Sequence, residues 1–176
     1  MQMKFPAVIL FPFTLILVLG AWLLVLPSCS PNANIQGKGQ DYLQGEWEQR
    51  PEAVHQKLLN YTLYHYRFTC DSFYVTMQSF SKVNYGADTC MSKGHWTEYA
   101  KGRYEQQHDT IMTKGFFCTP NFKIKNEGGC FRAGVYEELF KVAGHTDSTI
   151  QIKNTADVLP VNLHLIKRIT CHPKPL

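Results

Sequence analysis

The chain has 176 residues, of which 44% are hydrophobic and 13% aromatic, and it carries 18 basic against 14 acidic residues. The net charge of +4 is small, and no basic run exceeds two residues, so the composition argues against a nucleic-acid-binding protein. The length suits one domain with a core of its own.

An apolar run without a charge extends from Phe5 to Leu26, behind the single basic residue Lys4. It leads into Leu26-Pro27-Ser28-Cys29, which resembles the lipobox of bacterial lipoproteins. The resemblance implies cleavage before Cys29, acylation of that cysteine, and a mature protein that is held on the membrane by lipid. Each buried methylene of an acyl chain contributes about 0.8 kcal/mol, so several chains on one cysteine hold a domain without any other membrane contact.

The apolar run is also long enough to span a bilayer as an uncut anchor, and an ordinary signal peptide is a third interpretation. The cysteine directly behind the run favours the lipoprotein. The residue after Cys29 is Ser30, whereas an Asp at that position would resemble an inner-membrane retention signal. This favours the periplasmic face of the outer membrane. We therefore expect a signal peptide, predicted as a helix, over 1–28, a tether rich in Pro, Asn, Gly and Gln over 29–40, and a folded domain over 41–176.

Beyond the tether, β-branched and aromatic residues recur between turn clusters with a period of two. Only Pro51 to Leu59 has a helical composition, and it is short. The pattern predicts eight strands, at 44–50, 61–70, 73–81, 95–105, 110–117, 130–142, 148–154 and 161–171. Eight antiparallel strands with one apolar face, and almost no helix to cover it, must close on themselves. The sequence therefore predicts an all-β fold, an antiparallel eight-stranded meander that closes into a small barrel.

The first and last strands carry a family resemblance. Gly45-Glu46-Trp47 resembles the Gly-x-Trp signature that opens the lipocalins, and Arg168 matches the basic residue that packs over that tryptophan in such barrels. The resemblance covers the mature chain in strand number and order, and it implies a lipocalin-like barrel. Bacterial lipocalins are commonly lipoproteins, which agrees with the leader. The chain departs from the family in having neither a clear helix-bearing lid loop after the first strand nor a helix after the last.

The chain also resembles short exported lipoproteins that share Gly-x-Trp, Phe-Thr-Cys-Asp-Ser-Phe and Trp-x-Glu-Tyr, some of which carry the name fumarate hydratase. The soluble fumarases resemble one another in a Ser-Ser-x-Met-Pro-x-Lys-x-Asn loop, and this sequence has no such loop. The iron-sulfur fumarases need cluster-binding cysteines in a far longer chain. The resemblance therefore does not bring that activity with it.

Five cysteines beyond Cys29 fit an oxidising compartment and predict disulfide bonds with one thiol left over. Strand direction places Cys70 and Cys171 at one rim of the barrel. The other rim holds Cys90, Cys118 and Cys130. Because bridged Cα atoms lie within about 7 Å, pairs should form within a rim, so Cys70 would join Cys171 while Cys130 would take either Cys118 or Cys90.

The sequence offers little for catalysis, and an enzyme is the less favoured interpretation. It has no nucleophile elbow, phosphate loop or zinc-type cysteine pair, so we expect no cofactor and no metal. If the fourth strand alternates regularly, Glu98 faces inward with Trp96, as a buried carboxylate of raised pKa; a bulge would instead turn it to solvent. Glu137 and Glu138 are adjacent on a strand and face opposite ways, so they are not a working pair.

Two functions remain open. The first is a membrane-tethered protein whose barrel holds a small lipophilic ligand. The candidate lining residues are Tyr64, Tyr66, Phe68, Phe73, Val75, Met77, Trp96 and Glu98. The second is a structural or interaction module with a filled core, whose loops at 82–94 and 119–129 contact another protein of the cell envelope.

Overall fold

The computed structural model describes residues 35–83, 90–126, 129–154 and 159–175. The predicted signal helix and the proposed acylation site, Cys29, lie outside the described residues. Among the described residues, no helix has both the length and the apolar character that crossing a membrane requires.

Eight strands form a closed antiparallel barrel in which each strand pairs with its neighbours in sequence and β1 pairs with β8. The predicted all-β barrel is therefore confirmed. The strands are β1 Gly45–Gln49, β2 Asn60–Thr69, β3 Ser72–Ser81, β4 His95–Gln107, β5 Thr110–Cys118, β6 Val135–His145, β7 Thr149–Asn154 and β8 Val161–Arg168. Short 3-10 helices span Asp41–Leu43, His55–Lys57 and Ser92–Gly94.

The largest error in the predicted strands concerns β6, which begins at Val135 rather than at residue 130. Cys130 is bridged to another loop, and Phe131 and Gly134 both adopt a positive φ, so this stretch cannot continue a ladder. At its other end β6 continues to His145 through a register shift at Val142. The predicted eighth strand also ends earlier than expected, at Arg168.

One end of the barrel is closed. The first 3-10 helix lies there, and Trp47 is completely buried, with its indole N–H donating to the Leu43 carbonyl at 2.7 Å. The Arg168 guanidinium lies 5.3 Å from the centroid of the Trp47 ring and donates to the Tyr42 carbonyl at 2.9 Å. These contacts join the chain before β1 to the end of β8.

A buried polar network reinforces the closed end. The Gln44 amide accepts from the Cys70 N–H at 2.7 Å and donates to the Cys70 carbonyl at 2.9 Å. The Tyr104 hydroxyl donates to the same carbonyl at 2.8 Å, and the Gln40 N–H donates to that hydroxyl at 3.0 Å. Burial raises the pKa of Tyr104 to about 12, so the phenol stays protonated as a donor. Cys70 is bridged to Cys171 with Cα atoms 4.8 Å apart.

Residues 35–40 belong to this closed end, although the sequence suggested a flexible tether as far as residue 40. Ile35 pairs with Pro175 as an isolated bridge, and the Gln36 N–H donates to the Lys174 carbonyl at 2.9 Å. The Gly37 N–H donates to Asp71 at 2.9 Å. The composition of residues 35–40 is typical of a linker. Their order comes from hydrogen bonds with residues distant in sequence, which composition does not reveal.

The other end of the barrel carries the long connections. Cys90, in the β3–β4 connection, is bridged to Cys130, in the β5–β6 connection, with Cα atoms 5.2 Å apart. Cys118 is a buried free thiol, and burial raises its pKa, which keeps the nucleophilic thiolate scarce. Both bridges lie within a rim, as strand direction predicts, and the choice left open for Cys130 falls on Cys90.

The core, both bridges and the closed-end network all lie within residues 35–175, so a domain that starts near residue 30 contains every described contact of the barrel.

Candidate functional site

The interior of the barrel is packed towards the closed end and hollow towards the open end. Aromatic side chains from β2, β3, β5 and β6 fill the packed part, in which Phe68, Phe73, Tyr136 and Phe140 are each at most 3% exposed. Phe68 stacks on Tyr66 with ring centroids 5.4 Å apart, whereas Phe73 and Tyr136 meet at a tilt with centroids 5.6 Å apart. Above this layer a cavity of about 500 Å³ opens, within the range of roughly 300–1,000 Å³ that holds small ligands.

The cavity lies among the ends of strands and the connections that meet at the open end. The β1–β2 connection crosses it with the short helix His55–Lys57, and the β7–β8 connection adds Leu159 and Pro160. Its walls are mainly apolar and aromatic, with a few uncharged polar groups. The lining residues are Gln49, Val54, His55, Leu58, Asn60, Tyr61, Thr62, Tyr64, Ser79, Phe80, Trp96, Leu159, Pro160 and Val161.

The β1–β2 connection lies over the cavity. Its histidine, His55, has a polar contact at each of its two ring nitrogens. The Glu52 N–H donates to Nδ1 of His55 at 2.8 Å, and the Gln49 amide lies 3.4 Å from Nε2. The ring also contacts Tyr61, with centroids 5.3 Å apart. The sequence did not predict that this connection covers the cavity, because its one local signal was the helical composition of Pro51 to Leu59.

Two of the eight candidate lining residues, Tyr64 and Trp96, line the cavity. Tyr66, Phe68, Phe73, Val75 and Met77 also face inward, but they belong to the packed cluster beneath it. Alternation along the strands gives the inward face correctly, whereas the depth of each residue depends on how the barrel closes. Gln49, Thr62 and Ser79, which line the cavity, were overlooked because they are polar residues on a predicted core face.

Glu98 faces inward from a regular strand and is 7% exposed, so no bulge turns it to solvent. Arg132, in the connection before β6, donates to it from the backbone N–H and Nε at 3.0 Å and from Nη2 at 2.8 Å. The guanidinium also lies 4.7 Å from the centroid of Phe117. Burial by itself would raise the pKa of Glu98, but the hydrogen bonds and the charge of Arg132 outweigh burial, so this pKa is lowered. The predicted raised pKa of Glu98 is therefore wrong.

The packed layer itself contains polar groups. The Tyr66 hydroxyl is buried beside Tyr136, and burial raises its pKa well above the ordinary value. Burial likewise raises the pKa of Tyr136. Glu138 accepts from the Asn154 amide at 2.6 Å. The two phenols stay uncharged, and the Glu138 carboxylate is held by a neutral amide rather than by a cation.

The described residues contain no group of three or more His, Cys, Asp or Glu side chains that could hold a metal ion. Both carboxylate oxygens of Glu98 accept hydrogen bonds from Arg132, which favours the ionised form. An ionised, ion-paired carboxylate suits a structural role better than that of a proton donor. The barrel thus has a cavity at its open end and a packed interior at its closed end.

No protein-family model matches the chain, and no curated protein or solved structure is significantly similar to it.

Proposed function

We propose that this protein is a membrane-anchored bacterial lipoprotein whose lipocalin-like barrel binds a small hydrophobic ligand in the cavity at its open end. The observation that carries the proposal is the apolar-lined cavity of about 500 Å³ above a packed aromatic layer. A ligand of that size would bury most of its surface there, and burial contributes about 25 cal/mol per Å² of apolar area.

The anchor rests on Leu26-Pro27-Ser28-Cys29 and the uncharged run before it. In this proposal the lipid on Cys29 attaches the protein to the periplasmic face of the outer membrane. The two disulfides agree with an oxidising compartment. Gly45, Trp47 and Arg168 support the likeness to lipocalins, because Arg168 packs on Trp47 at the closed end.

Native mass spectrometry of the purified protein, combined with lipid extraction, tests the ligand. We expect a bound lipophilic species, or uptake of an added lipophilic probe at one site per chain. A bare mass that stays bare with every lipophilic probe would refute the proposal.

A second function, an envelope-protein interaction module, is favoured by one patch on the outer wall. Phe116 and Val135 are paired across β5 and β6 and are 45% and 59% exposed. Ile124, in the connection between those strands, is 47% exposed. Exposed apolar side chains grouped in this way are typical of a contact surface. Replacing Phe116 and Val135 by Ser would abolish partner capture in cross-linking experiments and leave probe binding unchanged if this patch serves a partner.

A further inference from the structure

The walls of the cavity carry no formal charge among the described residues. None of the fourteen lining residues is Lys, Arg, Asp or Glu. The nearest ion pair along β4 joins Glu98 to Arg132, and its two charges neutralise each other. Lys82, at the end of β3, donates its ammonium to the Gln56 carbonyl outside the cavity. A charged ligand head would therefore enter the cavity without a counter-ion from the described wall.

Among the described lining residues, His55 is the one whose side chain can become a cation, and its ring has a polar contact at each nitrogen. Its Nδ1 accepts the Glu52 N–H at 2.8 Å, which only a neutral ring can do. The proton is then on Nε2, which faces the Gln49 amide at 3.4 Å. The Gln49 atom nearest to this ring nitrogen is Nε2, so the 3.4 Å contact brings two donors together and leaves the amide oxygen turned away from His55.

The other amide atom of Gln49, Oε1, is buried and has no hydrogen-bond partner. Gln49 therefore offers an acceptor that lacks a donor. Gln49 forms part of the cavity wall. A ligand hydroxyl that reaches this oxygen supplies the missing donor, and the Thr62 and Ser79 hydroxyls, 2.9 Å from each other, lie in the same wall.

From this wall we infer that the cavity selects uncharged amphiphiles, with an apolar chain and a small neutral head such as a hydroxyl, and discriminates against carboxylates and amines. The physical reason is desolvation: an ion that leaves water without a partner of opposite charge loses far more than a hydroxyl that finds an acceptor. The inference rests on the proposed ligand-binding function and specifies the chemical class of the ligand.

The test compares four probes with the same eight-carbon chain, namely octan-1-ol, methyl octanoate, octanoate and octylammonium, by titration calorimetry at pH 7 on the domain from residue 30 onward. We expect the two neutral probes to bind at least about tenfold more tightly than either ion, which corresponds to about 1.4 kcal/mol. Octanoate or octylammonium binding as tightly as octan-1-ol would overturn the inference and leave the ligand-binding function standing. Binding of none of the four would overturn both.

A charge placed in the wall gives a second readout that does not depend on absolute affinity. Thr62→Lys puts an ammonium in the cavity, whereas Gln78→Lys puts the same charge on the exposed outer face of the adjacent strand. We expect Thr62→Lys to raise the affinity for octanoate relative to octan-1-ol on the order of tenfold, and Gln78→Lys to leave the ratio unchanged. Equal ratios in both variants would contradict the placement of the ligand head beside this wall.

Discussion

The ion pair between Glu98 and Arg132 makes a quantitative prediction about the open end of the barrel. Arg132→Met removes three hydrogen bonds from side-chain nitrogens to Glu98, while the bond from its backbone N–H remains. Breaking a fully buried pair costs roughly 3–5 kcal/mol. Because the Arg132 side chain is 54% exposed and water can replace part of it, we expect a loss of about 2 kcal/mol in the free energy of unfolding at pH 7.

The loss should depend on pH in a direction set by Glu98. In the wild type, Arg132 holds the pKa of Glu98 below its unfolded value of about 4.3, so the pair stabilises the fold above that pH and stops doing so as the pH falls through the lower folded value. In Arg132→Met, burial is opposed only by the hydrogen bonds from the backbone N–H of residue 132 and from Trp96, so the pKa of Glu98 is higher than in the wild type. The deficit of the variant should therefore shrink steadily from pH 7 towards pH 4.

Urea unfolding followed by tryptophan fluorescence at several pH values measures this difference. Replacing both members, Glu98→Leu with Arg132→Met, should restore most of the stability, because an apolar pair needs no counter-ion. Lys141→Met, which breaks the exposed pair with Asp109, serves as the control and should show no comparable loss. An Arg132→Met variant as stable as the wild type at pH 7, or one whose deficit stays constant with pH, would refute the reasoning.

Three further changes have defined outcomes. Removing the Cys70–Cys171 bridge with paired Ala substitutions should cost about 4–5 kcal/mol in urea unfolding, because the bridge closes a loop with a sequence separation of 101; unchanged stability would mean that the bridge does not form. Tyr104→Phe should cost about 1–3 kcal/mol by thermal unfolding, because it leaves buried partners at the closed end unsatisfied, and a neutral effect would speak against that network. Cys29→Ser should abolish metabolic labelling with a palmitate analogue, and persistent labelling would show that another residue is acylated.

The strand pattern was predictable because it depends on local chemistry. Tyr64, Tyr66 and Phe68 alternate with polar neighbours, and turn residues such as Asp71 mark the reversals, so the inward faces and the closed topology follow from the period of two. The within-rim disulfide pairing follows from strand direction alone. The choice of Cys90 over Cys118 as the partner of Cys130 depends on loop paths, which the pattern does not encode.

The site itself was less accessible to sequence analysis. Tyr64 and Tyr66 are two residues apart on one face, yet the first lines the cavity and the second lies in the packed layer, because depth depends on how eight strands tilt and close. Glu98 has its pKa set by Arg132, which is 34 residues away in a loop. His55 covers the cavity from a short connection whose composition only hinted at a helix.

The central claim, that the open end and not the closed end receives an uncharged apolar ligand, is tested most directly by the two tryptophan indoles of the domain. Trp96 lines the cavity, whereas the indole N–H of Trp47 is buried at the closed end against the Leu43 carbonyl. In ¹H–¹⁵N correlation spectra titrated with octan-1-ol, we expect the indole signal of Trp96 to shift in a saturable way and that of Trp47 to stay in place. A Trp96 signal that does not respond, or a Trp47 signal that shifts as much, would contradict the account.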